Sequence, residues 1–79
     1  MEDQTPEQIA QHYKAMLDSV WLINAVIADE TMANESDANK KSTVERNVAH
    51  LVLMRAKTFW TTEDMAPVDA AIVAGNAYV

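Results

Sequence analysis

The side chains in this sequence best suited to holding a metal or moving a proton near neutral pH are its two histidines, His12 and His50. Neither has a His, Asp or Glu three or four residues away, so no single helix offers a ligand pair of the Glu-x-x-His kind. A metal or small-molecule site would need the two to converge from separate elements. The serines Ser19, Ser36 and Ser42 stand in no Gly-x-Ser-x-Gly elbow, and the chain has no cysteine. Its one glycine, Gly75, cannot build a phosphate-cradling loop. The adjacent carboxylates Asp29-Glu30 and Glu63-Asp64 fall at expected helix ends, where capping and solvation are their ordinary work. The residues therefore point to no catalytic group, no metal-ligand set and no cofactor, and they argue against an enzyme.

What must position these groups is a chain of 79 residues, 49% apolar and 23% charged. That length supports a single domain, residues 1–79, whose core alone supplies about 3–5 kcal/mol. Twelve acidic against six basic residues leave a net charge of −6. Such a surface repels nucleic-acid phosphate and anionic membranes alike. No stretch approaches the ~20 apolar residues of a membrane span, and the opening MEDQTPEQ is the opposite of a basic, apolar secretory leader. A cytoplasmic, reducing location is the simplest expectation.

One glycine and two prolines leave little turn material, so the chain is expected to be all-α. Thr5-Pro6-Glu7-Gln8 forms a capping box with proline at the first helical position. From there Ile9, Tyr13, Met16, Val20, Ile23 and Ile27 recur every three or four residues, which predicts a helix over about 6–31. The polar run Asn34 to Lys41 reads as a loop, with an optional helical turn from Ser36. Ser42-Thr43-Val44-Glu45 then caps a second helix over about 43–59, with Val44, Val48, Leu51, Val52 and Phe59 on one face. A tight turn at 60–64 follows. Asp64 as N-cap keeps Pro67 in the first turn of a short third helix over about 65–74, whereas Thr61 would place it in the interior at ~3 kcal/mol. Met65, Val68 and Ile72 are its inward face, and Gly75 is its expected left-handed C-cap. The architecture is a long helical hairpin with a short third helix. The second and third helices do not form a DNA reader, because the third carries Glu63, Asp64 and Asp69 and no basic residue.

Two polar residues interrupt the apolar stripes. Asn24 lies among Val20, Leu17 and Ile27, and Arg55 lies beside Val48, Leu51 and Phe59. Either Arg55 snorkels from the rim while Asn24 bonds a carbonyl, or both join a buried polar network that fixes register or oligomeric state. The opposite anomaly is apolar excess. Trp21, Leu22 and Val26 on the first helix and Leu53 and Met54 on the second exceed what one hairpin stripe can cover, and helices apolar nearly all round are covered nearly all round. These five residues are the expected interaction surface of a homo-oligomer, with a two-fold dimer favoured.

The segment Asn47 to Lys57, with Phe59 to Met65 and Asp69 to Gly75 after it, resembles the C-terminal half of small uncharacterised α-helical proteins of tailed, particularly marine, bacteriophages. That family has no settled catalytic residues. The resemblance implies a phage accessory or virion-associated role, contact with a host or phage protein, and residence in the host cytoplasm. A small acidic helical protein acting through protein–protein contact is the leading expectation. The alternative is an acidic inhibitor that mimics nucleic acid in a host protein's basic groove.

Overall fold

A computed structural model describes residues 5–57 and 59–79. The acidic opening at 1–4, and position 58 in the expected second helix, lie outside the described residues. Among those described there are three helices and no strand: α1 (Pro6–Ile27), α2 (Asp37–Arg55) and α3 (Thr62–Tyr78). They form an all-α rod of 42 × 19 × 19 Å in which every helix packs against the other two. Tyr13 meets Asp64 and Ile23 lies near Gly75, so α1 and α3 run parallel, with α2 antiparallel to both. No described helix is long and apolar enough to cross a membrane.

The start of α1 follows the expected chemistry. Thr5 Oγ1 accepts from the Gln8 amide at 3.1 Å, and Gln8 Oε1 accepts from the Thr5 amide at 3.0 Å. Its end comes four residues before the expected 31. Asp29 adopts φ 59°, the Glu30 amide reaches back to the Ala25 carbonyl at 2.8 Å, and the Asp29 amide reaches Val26 at 3.1 Å. This pair of bonds is a Schellman stop, with aspartate where glycine is usual. Asp29 also takes a salt bridge from Lys40 at 3.3 Å, tying the turn to the next helix.

The second helix begins at Asp37 rather than 43, capped by Ser36, whose Oγ accepts from the Asn39 amide at 3.1 Å. Ser42 is thus an exposed residue inside the helix. The helix stops at Arg55, short of 59. There the indole of Trp60 folds back, its Nε1 donating to the Met54 carbonyl at 2.9 Å, while the Lys57 amide takes the same oxygen at 3.2 Å.

The third helix is longer than expected at both ends. Thr61, not Asp64, is the N-cap, accepting from the Asp64 amide at 3.0 Å. Pro67 therefore sits in the second turn and removes one helical hydrogen bond, to the Glu63 carbonyl. Glu63 and Pro67 are both exposed, so water can serve that oxygen in place of an amide. Gly75 caps nothing. It is buried in the last turn of the helix, three residues before its end, without a positive φ. A Cβ there would overlap Val48 Cγ2 and come within 3.2 Å of Val44 and 3.5 Å of Ile23. The missing side chain is what lets α3 settle against both other helices.

The core consists of Met16, Val20, Ile23 and Val26 from α1, Val44, Val48 and Leu51 from α2, and Met65, Val68 and Ala71 from α3. This rotates both expected stripes. Val26 is fully buried and Ile27 is turned outward, and Val52 is half exposed instead of packed. Burying a Val or Leu contributes roughly 1.5–3 kcal/mol, so these shifts decide which faces remain for other work.

Candidate interaction surface

Among the described residues, the histidine that meets a potential nucleophile is His50. Its Nδ1 lies 2.9 Å from Oγ of buried Ser19, across the α1/α2 seam. A serine beside an imidazole is the start of a nucleophile–base pair, which further needs an orienting acid and oxyanion donors. Ser19 sits in the middle of α1, where the surrounding amides are committed to helix bonds. No group of three His, Asp or Glu side chains gathers among the described residues. The contact works as a polar clasp between helices, satisfying a buried hydroxyl. Ser19 is level with His50 and seven residues along α1 from His12, so the histidines are offset by about 10 Å along the bundle.

Asn24 and Arg55 do not form a buried network. Asn24 is exposed, because the rotation of α1 that buries Val26 carries it outward. Arg55 is also exposed and makes a two-pronged salt bridge with Asp69 of α3, Nε to Oδ1 at 2.6 Å and Nη2 to Oδ2 at 3.1 Å. Beyond it lies an open cleft of about 180 Å³ lined by Lys57, Trp60, Thr61 and Met65, besides the ion pair itself. Trp60 is its wall, held by Tyr13 at a ring separation of 5.8 Å and by Phe59 edge-on at 4.6 Å. Tyr13 Oη donates to the Asp64 carbonyl at 3.2 Å, so the aromatic group braces the α2–α3 turn against α1.

The five expected surface residues divide three ways. Val26 is in the core, and Leu22 and Met54 are half-buried against it. Trp21 and Leu53 are 63% and 69% exposed, but Trp21 is on the outward side of α1 while Leu53 projects from α2, and they share no patch. A different set does cluster. On α2 and its C-cap, Ala49, Val52, Leu53 and Ala56 recur at i, i+3, i+4 and i+7, all exposed. On α3, Ala66, Ala70, Val73 and Ala77 recur at i, i+4, i+7 and i+11, also all exposed.

The Arg55–Asp69 and Val48–Gly75 contacts set the register, which brings Val52 level with Ile72 and Val73 along the α2/α3 seam. Val52 and Val73, exposed by 50% and 69%, flank that seam on its outer side. Sequence reading missed Val73 because its neighbours are small. The alanine spacing around it, off the Met65–Val68–Ile72 stripe, was the available signal. No family model, curated protein or solved structure matches this chain.

Proposed function

We propose that the chain is a non-enzymatic helical module that works by protein–protein contact, using the outer face of α2 and α3. The observation that carries this reading is the exposure of Val52, Leu53 and Val73 on one two-helix face, bordered by alanines that let a partner helix approach closely. Large aliphatic side chains grouped in this way mark interaction sites more often than scattered ones do. The acidic inhibitor reading draws less support. Lys14, Lys40 and Arg55 each pair with one of the carboxylates, Asp18, Asp29 and Asp69, which breaks the negative surface into separate patches. A phage accessory or virion-associated role fits a small contact module of this kind.

The test is capture from a lysate of the source cells at low and high salt, comparing the protein with a Leu53→Glu/Val73→Glu variant of unchanged helical circular dichroism. Salt-resistant capture that the variant loses is the expected result, since apolar docking is little screened by ions. Equal capture by both proteins, or capture abolished by salt, overturns the reading.

A further inference from the structure

We propose that the α1–α2 connection, residues 28–36, is a hinge that straightens into helix and exchanges α1 between two copies of this chain. The proposal does not draw on the α2/α3 face. It begins with backbone strain. Asp29 and Met32 both hold φ 59°, and neither is glycine. Aspartate tolerates the left-handed region through its short polar side chain, whereas the bulky methionine has no such support. The connection contains no glycine or proline, and its Ala28, Glu30, Met32, Ala33 and Glu35 are good helix formers. Among the described residues, the amides of Thr31, Met32, Ala33, Asn34 and Ser36 meet no backbone carbonyl. A continuous helix gives each of them an acceptor four residues back. Residues suited to a helix are thus held out of one.

What receives the exchanged α1 follows from register. The Ser19–His50 and Asp29–Lys40 contacts are each symmetric about the midpoint between Asn34 and Glu35. Two straightened helices, each running about 75 Å from Pro6 to Arg55, therefore lie antiparallel about a two-fold axis at that midpoint. Both contacts are then remade between copies. The faces agree as well. Val26 and Val44, both fully buried, stand eighteen residues apart, about five whole helical turns. One continuous helix thus presents both core faces to the same side. Each end of the dimer repeats the three-helix packing of the single chain, with α1 supplied by the other copy, and no new apolar surface is needed. The closed form keeps Met32 against the core and the two turn bonds around Asp29. Chain concentration sets the balance, closed when dilute and exchanged when concentrated.

Refolding from denaturant at increasing chain concentration, followed by sedimentation equilibrium, should give a growing species of twice the chain mass. A single-chain mass at every concentration overturns the proposal. Met32→Gly relieves the turn and weakens the helix in both copies, and should lower the association constant about a hundredfold. Equal loss in Met32→Ala, which keeps the left-handed strain, overturns the hinge. A dimer indifferent to Met32→Gly but abolished by Leu53→Glu/Val73→Glu belongs to the outer face, which overturns the exchange and leaves the contact-module reading standing. The chain has no cysteine, so Ser19→Cys/His50→Cys can be joined by a short thiol cross-linker across that 2.9 Å contact. The dimer, once cross-linked and denatured, should run as two linked chains. Links confined to single chains overturn the exchange.

Discussion

Gly75 of α3 is seated against Val48 of α2 so closely that even a methyl group on its Cα would overlap the valine's Cγ2. Two effects oppose each other in Gly75→Ala. Alanine raises helix propensity by about 1 kcal/mol, whereas overpacking a filled core costs about 1–3 kcal/mol. Val48 is β-branched and buried, so it has no rotamer to retreat into. The substitution should lower the urea midpoint, and adding Val48→Ala should return much of the glycine-site loss in a double-mutant cycle. A midpoint raised by Gly75→Ala alone would mean that α3 stands further off than described.

The start of α2 can be checked by comparing two serines. Ser36→Ala removes the acceptor for the Asn39 amide and should cost about 0.5–2 kcal/mol. Ser42→Ala replaces an exposed mid-helix serine with the best helix former and should be neutral or slightly stabilising. Denaturation curves showing the reverse order would place the helix start near residue 43.

Asp29 holds a left-handed conformation at φ 59° to close the Schellman turn. Asp29→Gly and Asp29→Ala both lose the pairing with Lys40, so the difference between them isolates backbone strain. The glycine variant should be the more stable by about 1 kcal/mol, measured as a difference in thermal midpoint. Equal stabilities would remove the left-handed stop.

Arg55 offers a fourth test. A solvent-exposed pair, even a two-pronged one, is worth about 1 kcal/mol or less, against 3–5 kcal/mol for breaking a buried one. Arg55→Ala should therefore shift the unfolding free energy of the chain only slightly. A loss in the larger range would show that the guanidinium is covered and not exposed.

Much of this fold is readable from the residues. The capping box at Thr5, the absence of turn glycines and the recurrence of aliphatics every three or four positions specify helices and the first boundary. The misreadings have particular causes. Val20 and Ile23 continue equally well to Val26 or to Ile27, two positions about a hundred degrees apart on the helix, and the choice turns the buried face toward one side or the other. The first turns of α2 bury no apolar residue before Thr43, so periodicity is silent there and only the Ser36 cap marks the start. Pro67 argued against Thr61 as a cap because propensity scales describe a helix interior without an open carbonyl facing water. Gly75 looked like punctuation and is instead a packing device, a distinction that exists only once Val44 and Val48 are placed beside it. Which aliphatics stand exposed depended on those same rotations.

The hydrogen bond from Tyr13 to Asp64 joins residues 51 apart, whereas the α1/α2 and α2/α3 turns bring together chain segments that are neighbours in sequence. That separation has a consequence in time. Closing a long loop costs more entropy than closing a short one, so seating α3 on α1 is the expensive step to begin with, and a chain dominated by short-range helix contacts folds in microseconds to milliseconds. Assembly then starts within a neighbouring pair of helices, and the Tyr13–Asp64 contact of α1 with α3 forms after the barrier has been crossed. Interactions made after the barrier set the lifetime of the native state and leave the speed of reaching it nearly untouched. Tyr13→Phe should accordingly raise the unfolding arm of a chevron while the folding arm stays in place, so that one phenolic hydroxyl helps set how long the bundle remains closed.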